Sequence, residues 1–283
     1  MATPNSDGRS LHCEVLGKEG PFVVLVHGGL GLDHTYFRPW LDGLARRCRL
    51  VFFDLRGNGR SPRLPSFEGV TAQSFAADIE ALRDHLGIER LVLFGHSFGA
   101  AIAQLYAIVH PQRLAGLVLC AASTDYRHLA EALSAARARA LPEEASAIEV
   151  LLSRPLRDDD ELRELCGAVG TLYLRARDPA LASRLLQGVH FRAAAYNHTA
   201  HLWPAFCSTG RLGGVTAPAL VLAGAVDWIA PPALAERLAS ELPRAELCVF
   251  EASGHYPFAE EPDRFLAVVE DWLGRLPDAT KTP

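Results

Sequence analysis

The runs 22–27 (FVVLVH), 50–54 (LVFFD), 91–94 (LVLF) and 117–119 (LVL) are apolar almost without interruption. A strand with one face in water alternates apolar and polar residues, whereas a strand covered on both faces has no reason to. Runs of this kind require a mostly parallel sheet with helices on both sides, and helical text does separate them. Phe75, Ile79, Leu82 and Leu86 follow one another at intervals of four, three and four, which marks 74–86 as an amphipathic helix stopped by Gly87. Residues 98–110 read as a second helix, stopped by Pro111.

The rhythm breaks near Asp125. From there to Cys207 the chain is rich in Ala, Arg and Glu, and its helical periodicity is interrupted at Pro142, Pro155 and Pro179. Apolar runs return at 219–222 (ALVL) and 247–250 (LCVF), each followed by helical text, at 233–241 and 262–276. The expected fold class is α/β, with one core domain made from two discontinuous pieces, 1–124 and 207–283, and a helical cap inserted at 125–206. The tail from Pro277 is expected to fray.

Between the run 91–94 and the helix beginning at Phe98 stands Gly95-His96-Ser97-Phe98-Gly99. A serine on so tight a strand-to-helix turn takes strained backbone angles, and the flanking glycines remove Cβ atoms that would strike the neighbouring strand and helix. The turn lifts the hydroxyl clear of the sheet. The Phe98 amide, at the positive end of the helix, then faces the place where an oxyanion would form. A serine hydroxyl is a weak nucleophile and needs a base that is itself oriented by a carboxylate. Asp227 follows the run 219–222 in Gly224-Ala225-Val226-Asp227-Trp228, and His255 follows 247–250 in Ser253-Gly254-His255-Tyr256-Pro257. The order Ser97, Asp227, His255 is the one such an elbow requires.

A second oxyanion donor is expected after an early strand, and His27-Gly28-Gly29-Leu30-Gly31 occupies that place. Glycine lets a backbone amide approach a substrate oxygen, so Gly29 and Phe98 are the expected amide pair. The loop has neither G-x-G-x-x-G nor the lysine of a P-loop, and is not read as a phosphate cradle. The loop 54–61 (DLRGNGRS) is read as scaffold with its charges paired internally. The cap should lie over Ser97, because insertions at strand ends fall on the ligand side of such sheets. Expected pocket residues are His27, Leu30, His96, Trp228 and Tyr256 from the core, with Tyr173, His190, Phe191, His198, His201 and Trp203 from the cap. No metal is expected, since His198 and His201 lack a third ligand or carboxylate at helical spacing. No cofactor is expected either.

With 28 basic against 33 acidic side chains, the chain lacks the basic stripe of a nucleic-acid binder and is not drawn to anionic membranes. No apolar run approaches the roughly 20 residues of a membrane span, and residues 1–10 lack the pattern of a secretory signal. Six cysteines without a C-x-x-C pair read as reduced, mostly buried thiols. A cytoplasmic protein acting on a small-molecule substrate is expected, with its oligomeric state left open.

Taken together, these motifs resemble those of the α/β-hydrolase superfamily over nearly the whole length outside the cap. HGGLG, DLRGNGRS and GHSFG look most like the proline iminopeptidase-type branch, which carries an HGGPG loop, a D-x-x-G-x-G-x-S loop and a G-x-S-x-G elbow. Related esterases, lactonases and C–C hydrolases share these loops. The resemblance implies the α/β-hydrolase fold and hydrolysis through an acyl-enzyme. This chain departs from the branch in having Leu30 for its proline. Members of the branch grip the substrate ammonium with glutamates around the cap and just after the catalytic aspartate. Here Trp228 follows Asp227, and the late cap segment reads Tyr196-Asn197-His198-Thr199. The remaining cap acids, Glu131, Glu143, Glu144 and Glu149, read with Arg137 and Arg139 as a solvated face. The expected activity is therefore cleavage of an ester, lactone or amide of a small uncharged acyl substrate. An aminopeptidase and a non-catalytic receptor on the same fold are the alternatives. An epoxide hydrolase is excluded because it needs an aspartate where Ser97 stands.

Overall fold

The computed structural model describes residues 2–4, 8, 10–127 and 129–277. Among them the strands are β1 (Ala2–Pro4), β2 (Ser10–Leu16), β3 (Phe22–Val26), β4 (Arg49–Phe53), β5 (Leu91–His96), β6 (Leu114–Cys120), β7 (Ala219–Gly224) and β8 (Ala245–Phe250). They form one sheet in the order β1-β2-β4-β3-β5-β6-β7-β8. β2 pairs antiparallel with β1 and β4, and the other neighbours run parallel. The expected apolar runs fall on β3 to β8. No continuous apolar run marks β2 (SLHCEVL), which lies at the antiparallel side of the sheet and alternates, burying Leu11 and Cys13 between more exposed neighbours.

The helices are α1 (Ala72–His85), α2 (Phe98–Val109), α3 (Leu129–Arg139), α4 (Pro142–Ser153), α5 (Asp159–Val169), α6 (Pro179–Leu186), α7 (Ala193–Leu202), α8 (Pro232–Glu241), α9 (Pro257–Glu260) and α10 (Pro262–Gly274). Within β3, Val24 and Val26 pack on one side with Phe75 and Ile79 of α1, Ile102 of α2 and Leu238 of α8. Val23 and Leu25 pack on the other, with Phe265, Val269 and Trp272 of α10 and with Tyr36 and Phe37 of the 3-10 turn His34–Phe37. Both faces of β3 are thus covered, which is why it reads as unbroken apolar text. Burial of each large apolar side chain contributes about 1.5–3 kcal/mol relative to exposure. Among the described residues, no helix is long and apolar enough to cross a membrane.

Helices α3 to α7 fill the chain between β6 and β7, and an isolated antiparallel bridge joins Asp125 to Cys207 at the neck of this insertion. The insertion rests on loops of the sheet. The Arg192 amide donates to the Gly31 carbonyl at 2.8 Å, and Asp33 Oδ2 accepts the His190 amide at 2.9 Å. Its acids do not form one solvated face. Glu149 pairs with Arg137 at the surface, across 2.6 Å. Glu144 is instead buried, and accepts the Leu141 amide at 2.7 Å, the Thr171 hydroxyl at 2.6 Å and the Arg177 guanidinium. The Glu131 side chain, His128 and the tail 278–283 lie outside the described residues.

The loop 54–61 also differs from its expectation of internal pairing. Arg56 reaches Asp78 on α1 at 2.5 Å, and Asp54 accepts from His34 Nδ1 at 2.6 Å as well as from the Arg60 amide at 2.8 Å. Burial favours the neutral form of Asp54, yet the bond and charge of His34 outweigh it and hold the carboxyl below its ordinary range.

Candidate active site

Ser97 sits between the last residue of β5 and the first of α2, with φ 55° and ψ −122°. A non-glycine residue held there costs about 1–3 kcal/mol, which the surroundings must supply. The Ser97 amide donates to the Cys120 carbonyl at 2.9 Å, and its carbonyl accepts the Ala100 amide at 2.9 Å. The two glycines are needed for lack of room. A Cβ on Gly99 would fall 2.2 Å from the Val26 carbonyl oxygen, and one on Gly95 would fall 2.6 Å from Ala100 Cα. The Phe98 amide occupies the first helical position, where no carbonyl four residues back lies inside the helix to receive it.

Asp227 follows the end of β7 in a turn closed by its own amide on the Gly224 carbonyl at 3.2 Å. Its Oδ1 accepts the Ile229 amide at 2.8 Å, and its Oδ2 accepts Nδ1–H of His255 at 2.8 Å. Burial disfavours the Asp227 carboxylate, but the adjacent His255, its hydrogen bond and the amides of Ala230 and Ile229 keep it below its ordinary range. The carboxylate can only accept, so the ring proton sits on Nδ1 and Nε2 is left with a lone pair. Ser97 and His255 border the same cavity, and in this structure no hydrogen bond joins Ser97 Oγ to Nε2. Such contacts commonly tighten only when substrate is bound.

The cavity measures about 630 Å³. Gly29, Leu30, His96, Tyr173, Trp203, Trp228 and Tyr256 border it, and so does His201. Phe98 lies beneath the wall at the elbow, and Asp227 stands behind His255. Four expected pocket residues lie elsewhere. His27 is buried with Nε2 accepting the Leu55 amide at 3.0 Å and Nδ1 facing the Gly28 carbonyl at 3.0 Å, so it ties two loops together. His198 donates to the Val70 carbonyl at 2.9 Å and stacks on Phe67, which turns it toward the loop before α1. His190 bonds Asp33 at 3.0 Å, and Phe191 is packed in the core.

The wall opposite the sheet comes from Leu151 of α4, Cys166 of α5, Leu185 of α6 and Tyr196 of α7, none of them expected from the sequence. Amphipathic spacing nominates their apolar faces. It does not distinguish a side chain facing a cavity from one facing another helix. Burial pushes the Cys166 thiol up to about 12, which leaves it a neutral wall group. Among the described residues, the group nearest to a metal-ligand set is His12, His34 and Asp54, with ligand atoms within 4.8 Å of one another. Asp54 is engaged with His34, His12 bonds Glu14 at 3.0 Å, and none of the three borders the cavity.

The family described as the alpha/beta hydrolase fold matches residues 21–262. The chain belongs to the alpha/beta hydrolase fold family. This hydrolase is 28% identical over 279 residues to "Proline iminopeptidase PfmaB" of Pestalotiopsis fici, covering 94% of this chain and 97% of that one. Among solved structures, a thermophilic esterase from Thermogutta terrifontis superposes with a TM-score of 0.75 at 27% identity, over 98% of each chain. Proline iminopeptidase of Mycobacterium smegmatis superposes with a TM-score of 0.75 at 25% identity, over 97% of each chain. No Asp or Glu stands among the described residues that border the cavity.

Proposed function

We propose that this serine hydrolase cleaves an ester, lactone or amide of a small uncharged acyl group through an acyl-enzyme on Ser97. Ser97 Oγ attacks the carbonyl carbon as His255 Nε2 takes its proton, and Asp227 holds the imidazole in the required tautomer. The amides of Gly29 and Phe98 receive the charge that develops on the carbonyl oxygen. Collapse breaks the bond to the leaving group, which takes the proton from His255. Water then attacks the acyl-enzyme by the same route and frees Ser97.

The absence of carboxylates from the described cavity lining carries the reading of the substrate. An ammonium taken out of water without a partner costs several kcal/mol. The two positions where the resemblance would put carboxylates hold Trp228 and His198, and both are committed elsewhere: Trp228 Nε1 donates to the Leu172 carbonyl at 3.1 Å, and His198 Nε2 to the Val70 carbonyl at 2.9 Å. Glu144 is engaged with Arg177 and Thr171. The second reading, an aminopeptidase, is favoured by the names of the relatives, PfmaB among them. Six free cysteines support a reducing compartment such as the cytoplasm, and the cavity supports a small molecule as partner rather than a nucleic acid or a membrane.

The test is a panel of p-nitrophenyl acyl esters beside prolyl and alanyl arylamides, run on the wild type and on Ser97→Ala. kcat/KM for a short-chain ester should exceed that for either arylamide by at least about tenfold, roughly 1.4 kcal/mol. The reverse ranking would establish the aminopeptidase.

A further inference from the structure

The oxyanion loop, the nucleophile and the base stand on loops after three different strands, β3, β5 and β8, and one buried chain of hydrogen bonds joins them. The Gly28 amide donates to the Tyr36 hydroxyl at 2.5 Å, that hydroxyl lies 2.9 Å from His96 Nδ1, and His96 Nε2 lies 2.9 Å from the backbone carbonyl oxygen of His255. A carbonyl oxygen only accepts, so Nε2 carries the ring proton and Nδ1 is bare. The Tyr36 hydroxyl must then donate to Nδ1, which leaves its oxygen to accept from Gly28. Every bond in the chain has one possible direction. Tyr36 and His96 are 2% and 1% exposed, so water does not compete for these bonds. Burial, with His255 alongside, pushes His96 down to about 3 and keeps its ring neutral.

Displacement at either end of this chain would reach the reacting atoms. A Cβ on Gly28 would fall 2.4 Å from the His96 carbonyl oxygen and 2.7 Å from Ser97 Cβ, so this loop lies directly on the elbow. At the other end the Tyr173 carbonyl holds the His255 amide at 2.7 Å and His96 holds the His255 carbonyl at 2.9 Å, so the peptide units on both sides of the base are anchored. Resting on the assignment of Ser97, His255 and Asp227 above, we propose that Tyr36 and His96 are positioning residues: their uncharged bridge holds the oxyanion loop and the base at a fixed separation across Ser97. Neither transfers a proton in the reaction.

The experiment is steady-state ester hydrolysis by the wild type, Tyr36→Phe, His96→Ala, His96→Gln, the double variant Tyr36→Phe/His96→Ala, and Ser97→Ala, each assayed well below its own melting temperature. Tyr36→Phe keeps the ring packing and removes only the hydroxyl. The bridge predicts a roughly tenfold or greater fall in kcat for Tyr36→Phe and His96→Ala with KM nearly unchanged, because the loss is one of alignment. The double variant should be no slower than His96→Ala, as expected of two residues in one chain. His96→Gln, whose amide can donate to the His255 carbonyl, should recover part of the kcat lost in His96→Ala. Wild-type kcat in both single variants, or losses that multiply in the double variant, would overturn the bridge while an inactive Ser97→Ala left the hydrolytic site intact. Full activity in Ser97→Ala would overturn the site itself, and the bridge with it.

Discussion

His255 Nδ1 lies 2.8 Å from Asp227 Oδ2, and the two residues are 3% and 2% exposed. The pair fixes which nitrogen of His255 is bare. Replacing Asp227 by Asn offers an amide where a carboxylate stood, so the imidazole can settle in the other tautomer and present a proton to Ser97. kcat for ester hydrolysis at pH 7 should fall by roughly a thousandfold or more, with the fold retained by circular dichroism. A rate within tenfold of wild type would place the acid elsewhere.

Buried His96 makes stability depend on pH in a definite direction. Its folded value of about 3 lies below its ordinary 6.5, so the unfolded chain binds the extra proton between those limits. The stability it contributes is complete above pH 6.5 and is lost as pH falls toward 3. Asp227, held below its ordinary 3.8, adds a loss in the same direction at more acidic pH. Urea midpoints should be level above neutrality and decline between about pH 6.5 and 4, and that decline should be shallower in His96→Gln. Equal slopes in the two proteins would rule out His96 as the source.

Glu144 joins α4 to Arg177 and Thr171 near the far side of the insertion. Glu144→Gln leaves Arg177 without its partner, and because Arg177 is partly exposed the cost should be about 2 kcal/mol rather than that of a fully buried pair. Hydrogen exchange should rise across α4 and the 3-10 turn Gly170–Tyr173 while β5 stays protected. Exchange unchanged in α4 would show that packing alone holds it.

The parallel sheet was legible because strands such as β3 are covered on both faces and their apolar text is unbroken. β2 was not, since its alternation is that of a one-sided strand. Ser97, Asp227 and His255 could be placed because each follows a strong strand signal within a few residues, where chain order fixes spatial order. His27 and His198 could not, because a histidine near a site reads alike whether it faces the cavity or a backbone carbonyl. Here the Gly28 and Val70 carbonyls took them. Tyr36 lay on a short 3-10 turn with no periodic signal, and its partners at Gly28 and His96 come from separate strands. Such a bridge is a property of the folded topology and has no local pattern to read.

The central claim is that Ser97 carries the covalent intermediate, and the direct measurement is the intact mass and peptide map of the protein after exposure to a fluorophosphonate. The account predicts one adduct per chain on the peptide containing Ser97, slower labelling in the presence of a saturating short-chain ester substrate, and loss of the adduct in Ser97→Ala. Full labelling of Ser97→Ala, or an adduct on another residue of the wild type, would contradict it.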